Sequence, residues 1–316
     1  MPVTILIDGV DALTEPSAAN LTWLPATLPS NCSLLLSCST GSDAYEAAQR
    51  LEWVDADGHA AVDVTGGGLV KMPKLSSDDV QTVASAVLRE RAHKTLEAHH
   101  AIWLSKSAQA SNPLFLTMVM EELIASAVFE TLDTLLKTCL AQPSTTQLAD
   151  LVFTRLESQF GARLVREVFA FIETARFGMS ELELLAALKL SQHEWFVFVN
   201  AVRSILCESA GQFLWGSSVM RRAFRARYLA APGDAERVHM KLIAFFRGAP
   251  AEIVSEARRC SELPFHLLRA GEHEELKAFL VDIGHVRTMI THQVCTPPPQ
   301  PPAETPTKLP PPFPCV

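Results

Sequence analysis

Residues 3–11 read VTILIDGVD, and this stretch decides the fold. Val3 to Ile7 is an apolar run with one Thr, the length of a strand buried on both faces. It stops at Asp8, Gly9 follows, and a second carboxylate stands at Asp11. A second apolar run, CSLLLSCS at 32–39, also ends in small polar residues. Between them, TWLPATLPSN (22–31) carries two prolines that break any helix before the second strand. Strand, crossover, strand predicts a parallel sheet. An acid at the carboxyl end of such a strand sits at the rim where open α/β sheets bind ligands. A third short strand is expected at 60–64 or 69–72, around the TGGG of 65–68.

From about residue 76 the pattern turns helical. SSDDVQTVASAVLRER opens with Ser/Asp capping signals and places apolar residues at 80, 83, 84, 87 and 88, one helical stripe. Amphipathic segments follow over roughly 95–108, 113–140, 145–159, 161–175, 180–189, 192–206, 217–229, 234–247 and 272–283. CESAGQFLWG (207–216) alternates enough for a β-hairpin turning near Ala210 and Gly211. Helices, a hairpin and a further helix suit a winged-helix subdomain. The expected fold is therefore mostly α with a small parallel α/β portion. Its expected parts are the partial sheet (1–75), a helical subdomain (76–142), a winged-helix-like subdomain (143–232), a helical extension (233–295) and a disordered proline-rich tail (296–316).

Composition narrows the function. The 316 residues are 48% hydrophobic and 20% charged, with a formal net charge of -8. A negative chain without a sustained basic stripe argues against a nucleic-acid partner. Arg221, Arg222, Arg225 and Arg227 recur at helical spacing and read as a solvated helix face. Residues 180–198 carry one Lys against Glu181, Glu183 and Glu194, which also argues against DNA reading by a winged helix. Seven cysteines are scattered without a CxxC pair, so neither a disulfide framework nor a zinc site is suggested. With no signal-like N-terminus and no apolar run of membrane-spanning length, no membrane partner and a cytoplasmic location are expected.

Several segments, in order, resemble one family. ILIDGVDAL (5–13) resembles the Walker B strand of the NACHT and STAND class of NTPases, in which a small residue follows the metal aspartate and a second acid lies two positions beyond. WLPATLPSNCSLLLSCS (23–39) resembles their sensor strand with its approach. SNPLFLTMVMEEL (111–123) resembles their helix that opens with Asn-Pro-Leu. FGMSELELLAAL (177–188), HEWFVFVNAVRSIL (193–206) and GQFLWGSSVMRRAFRARYL (211–229) resemble their winged helix. RRCSELPFHLLRAGEHEELKAFLVD (258–282) resembles the ELPYHL helical stretch beyond it. The nearest group is that of nephrocystin-type, telomerase-associated-protein-type and NACHT-WD-repeat proteins, over about residues 3–283.

The resemblance implies roles. It assigns Asp8 to Mg²⁺, Asp11 to the catalytic acid that assists hydrolysis, and Pro113 to the adenine side. Ser39 falls near the sensor position, where many relatives have Arg, and Ser217 falls nearest the position of a phosphate-contacting His. The implied cofactor is Mg-ATP. Yet no GK[ST] occurs in these 316 residues. The backbone of GxxxxGK[ST] cradles the phosphates, its Lys neutralises them and its hydroxyl ligates Mg²⁺. TGGGLVK (65–71) has the wrong spacing, follows Walker B instead of preceding it, and reads as a loop. Two acids without that loop should hold Mg-ATP poorly, since Mg²⁺ relies on substrate phosphates beside one or two protein oxygens. The expectation is a fragment or degenerate NTPase module serving protein–protein interaction or scaffolding, without autonomous ATP hydrolysis. The alternative is a slow ATPase switch whose Walker A loop lies in a missing upstream segment or another chain.

Other constellations carry less. His99 and His100 are adjacent, and a helix would splay them about 100° apart, too far to chelate one metal together. His266 and His273 flank Gly271 and suit packing or capping roles. No GxSxG elbow is present. Trp53, Trp103, Trp195 and Trp215 are expected as core anchors. In the tail, Lys308, Pro311 and Pro314 form KxxPxxP, a spacing that suits an SH3-type groove.

Overall fold

The computed structural model describes residues 2–12, 21–25, 28–29, 31–50, 70–126 and 129–292. The chain divides into two compact units between Pro73 and Lys74. In the first, β1 (Val3–Ile7) pairs in parallel with β2 (Cys32–Leu36), in register from Val3 opposite Cys32 to Ile7 opposite Leu36. Two further bonds, Ser37 N–H to the Ile7 carbonyl at 3.0 Å and Val10 N–H to the Ser37 carbonyl at 3.0 Å, carry the pairing past the strand ends. Helix α1 (Asp43–Arg50) follows, its first turn capped by the Ser42 hydroxyl, which accepts the Tyr45 N–H. Val10, Leu21, Ala44 and Ala48 form a small core with Ile7, Leu24 and Leu36 against it.

That core covers only the carboxyl end of the sheet. Two-faced burial was expected for β1, but Val3, Ile5 and Leu6 are exposed, as is Leu35 of β2, Leu6 at 66% and Leu35 at 60%. The cause is the sheet's width: among the described residues it has two strands. A two-stranded sheet with one short helix cannot close over its own apolar side chains. Residues 70–72 are irregular, and the rest of the expected third strand lies outside the described residues, as does the 296–316 tail.

The second unit is helical: α2 (Ser77–Ala92), α3 (Ala98–Lys106), α4 (Pro113–Ser126), α5 (Leu132–Leu140), α6 (Thr145–Phe160), α7 (Ala162–Thr174), α8 (Glu181–Leu188) and α9 (Gln192–Ala201). The 113–140 stretch, expected as one amphipathic segment, is thus two helices. Capping boxes start α2 at Ser76 with Asp79, α8 at Ser180 with Glu183 and α9 at Ser191 with Glu194. The expected hairpin forms from β3 (Leu206–Ser209) and β4 (Gln212–Trp215), antiparallel, turning at Ala210 and Gly211 with φ of 50° and 75°. Two successive positive φ values make the tight turn whose twist suits a two-residue hairpin. Met179 bridges to Phe213 just after Gly178, where φ is 77° and an added Cβ would stand 2.3 Å from the Phe213 carbonyl oxygen, so only glycine fits.

Helix α10 (Ser218–Tyr228) closes on α6, and Phe153, Phe169, Phe198, Trp215 and Phe224 pack ring against ring beneath it. Its arginines form the solvated face the sequence suggested, Arg221 and Arg225 being 50% and 61% exposed, and they also pair with acids. Arg221 and Arg225 both bond the buried Glu173 carboxylate at 2.8 Å, and Arg227 bonds Asp150 and Glu157. Four more helices complete the unit: α11 (Asp234–Gly248), α12 (Glu256–Ala270), α13 (His273–Val281) and α14 (Ile283–Thr291). Trp195 and His266 are buried, in line with packing roles, while Trp53 lies outside the described residues. No helix among the described residues is long and apolar enough to cross a membrane.

The ELPFHL stretch sits within α12 and ties it to α8 and the hairpin. Fully buried Glu262 accepts the Arg176 backbone N–H at 2.9 Å and Arg258 at 2.6 Å; Arg258 also reaches Glu183 at 2.8 Å and the Gly178 carbonyl at 2.5 Å. Burial alone would raise the Glu262 carboxyl, but contact with His266, the Arg258 charge and the Arg176 N–H together hold it below the ordinary carboxylate value. His239 meets His266 across the helix pair, Nδ1 to Nδ1 at 2.8 Å, and its pKa falls to about 4, chiefly through burial and then through His266 and Arg269.

Candidate functional site

The parallel register fixes which groups meet at the carboxyl end of the first unit. Strand β1 delivers Asp8, and β2 delivers Ser37 directly opposite. The chain then turns at Gly9, whose φ of 67° a side-chain-bearing residue adopts only with strain. The turn leads into a short 3-10 segment, Val10–Ala12, that presents Asp11. Two serine hydroxyls hold the acids. Ser37 Oγ accepts the Gly9 N–H at 2.8 Å and donates to Asp8 Oδ1, while Ser39 Oγ donates to Asp11 Oδ2 at 2.6 Å. Asp8, Asp11, Ser37 and Ser39 thus form one rim.

The Ser39 hydrogen bond, with backbone N–H groups of Asp11 and Ser39 assisting against slight burial, holds the Asp11 carboxyl below its ordinary value. A carboxylate stabilised in its charged form is a poorer proton acceptor, because base strength near neutral pH needs a pKa near neutral pH. The geometry therefore suits Asp11 to orienting a polar group or attracting a cation more than to removing a proton. Each carboxylate has lone pairs beyond those its serine uses, so the rim can offer hard oxygen donors to a divalent cation.

The sequence reading named Asp8, Asp11 and Ser39 and missed Ser37. The signal was present: laying VTILI on CSLLL in parallel sets Ser37 level with Asp8. Pro113 belongs to the second unit, where it opens α4 after Asn112, whose side-chain oxygen accepts the Leu114 N–H at 2.9 Å. Proline suits this first helical position, where its missing N–H has no intrahelical partner to lose. Ser217 caps α10 by accepting the Met220 N–H at 3.3 Å. Lys308, Pro311 and Pro314 lie outside the described residues.

The rim fits Mg-ATP in part only. Its oxygen donors match the preference of Mg²⁺. The sequence contains no GK[ST], the motif that would supply a phosphate cradle and its lysine. No hydrolytic step follows from the rim residues alone.

No family model matches the chain, and no solved structure matches it significantly. Distant relatives do. A TPR repeat-containing protein of Dictyostelium discoideum is 23% identical over 290 residues, covering 89% of this chain and 16% of its own length. The human NACHT domain- and WD repeat-containing protein 1 is 27% identical over 334 residues, 87% of this chain and 20% of the relative. A rat telomerase protein component 1 is 22% identical over 324 residues, 89% of this chain and 12% of the relative. The chain spans a fifth or less of the length of these curated relatives. All three groups that its motifs resemble are represented among its distant relatives.

Proposed function

We propose that the chain is a protein-interaction or scaffolding module of NACHT/STAND type, descended from an NTPase and without autonomous ATP hydrolysis. The rim carries this reading: a parallel strand pair that sets Asp8 and Asp11 against Ser37 and Ser39 is the arrangement a Walker B strand and a sensor strand would make. The relatives support the scaffolding part, since their names record TPR repeats or a NACHT domain with WD repeats, modules of assembly. In this reading the hairpin and the helices around it are a winged helix, and Asp8 is the magnesium ligand of an ancestral site. The proline tail adds a candidate SH3-type ligand at Lys308, Pro311 and Pro314. Phosphate release from ATP tests the proposal. The purified chain should turn over ATP no faster than its Asp8→Asn and Asp11→Asn variants. Turnover above buffer that both substitutions abolish would favour the slow-ATPase alternative.

A further inference from the structure

The helical unit carries a cluster of metal-binding side chains on two helix starts. His99 and His100 stand in the first turn of α3, and Asp133 in the first turn of α5. Adjacent histidines were expected to diverge. They converge instead, with ring centroids 3.9 Å apart and Trp103 edge-on to both, because each ring leans toward the one carboxylate that α5 brings across. His100 Nε2 lies 2.7 Å from Asp133 Oδ1, and His99 Nε2 lies 3.3 Å from the same oxygen. One candidate ligand atom from each residue falls within 4.8 Å of the others.

We propose that His99, His100 and Asp133 form a binding site for a divalent transition metal of the zinc class, with both Nε2 atoms and a carboxylate oxygen as donors and water completing the shell. Donors at the usual zinc distances stand roughly 3.3 Å apart along a tetrahedral edge. The His99–Asp133 edge already has that length. The His100–Asp133 edge must open by about 0.6 Å to reach it, and the half-exposed Asp133 has room to move. Two imidazoles select zinc, cobalt, nickel or copper over magnesium and calcium. His99 has the outer partner that metal-bound histidines usually have, since its Nδ1 lies 3.4 Å from the Glu97 carboxylate.

Three features oppose the metal: the ligand atoms are drawn together only to within 4.8 Å of one another, so the two imidazole donors must close toward a tetrahedral edge by rotation of the half-exposed His99, and two local contacts stand against binding. His100 Nδ1 accepts the Glu97 N–H at 3.3 Å, which places its proton on Nε2 in the metal-free protein. Coordination at Nε2 moves that proton to Nδ1 through solvent and gives up this long bond. The Lys137 ammonium adds like charge nearby, but it is held over the Trp103 ring at 4.2 Å. Buried His100 is left intact in the test, because its removal would open the core. His99 and Asp133 are 42% and 52% exposed and can be changed singly.

The test is calorimetric titration of the chelator-stripped full chain with Zn²⁺, beside His99→Asn and Asp133→Asn, with circular dichroism confirming the fold of each. One equivalent should bind to the native chain, and each substitution should weaken it at least about tenfold. Co²⁺ provides a reading that needs no variant. Its bound spectrum should show d–d bands without thiolate-to-cobalt charge transfer, separating this site from the chain's cysteines. No Zn²⁺ binding, binding unchanged in both variants, or a cobalt–thiolate spectrum would each overturn the proposal.

Discussion

At the scale of single residues, the first unit depends on two hydroxyls. Ser39 is the largest influence on the Asp11 carboxyl, so Ser39→Ala should let its pKa rise toward the ordinary carboxylate range. A carbon-detected NMR titration of Asp11 reads this directly, and an unmoved midpoint would contradict the hydrogen bond as the cause. Gly178 makes a sharper case. A methyl group there would meet the Phe213 backbone oxygen in a conformation already unfavourable for an L side chain, so Gly178→Ala should cost about 2 kcal/mol or more in urea unfolding. Asp8 and Asp11 were legible because strand ends and acids are local sequence features, and Ser39 was named only through the family resemblance. Ser37 was not, because its importance appears only once the register is fixed. The convergence of His99 and His100 was illegible for the same reason: the carboxylate that gathers them arrives from Asp133, 33 residues away.

At the scale of elements, local signals served well wherever a helix begins with its own cap. The Ser76, Ser180 and Ser191 boxes start helices where the sequence placed them. Helix α1 escaped notice although Ser42 caps it and Ala44 and Ala48 repeat at i, i+4, because small alanines make a weak apolar stripe. The periodicity reading also passed over α12, where Pro264 falls inside the helix, and only the family resemblance marked this stretch as helical. Tertiary bonds from Glu262 and Arg258 offset the lost backbone bond there. Arg258→Ala would leave Glu262 and Glu183 buried without that partner, and should cost about 3–5 kcal/mol. A loss below about 1 kcal/mol would show that the network is a surface pairing. His239 sets a pH dependence on the same helix pair. Its folded pKa, about 4, lies below the ordinary histidine value of 6.5, so the unfolded chain binds more protons between these values. Stability should therefore fall as pH drops from about 6.5 toward 4, by on the order of 1 kcal/mol per pH unit. This component is absent above that window. In urea unfolding at pH 7 and pH 5, His239→Gln should show a shallower fall than the native chain, and an equal fall would remove His239 as the cause.

At the scale of the whole molecule, the two units contrast. The helical unit buries a continuous core from Val80 to Phe279, whereas among the described residues the first unit buries four and leaves Val3, Ile5, Leu6 and Leu35 of its strands exposed. Coarse organisation was legible from the switch of hydrophobic period near residue 76. The openness of the sheet was not, since an apolar run of five residues reads alike whether or not neighbours cover it. An acidic rim at a parallel strand pair, with no GK[ST] in the sequence, underlies the central proposal of a scaffolding module derived from a nucleotide switch and without autonomous ATP hydrolysis. Calorimetric titration of the purified chain with Mg-ATP, beside Asp8→Asn, tests that claim most directly. The account predicts no saturable binding in the micromolar range by either protein; saturable micromolar binding by the native chain that Asp8→Asn abolishes would contradict it.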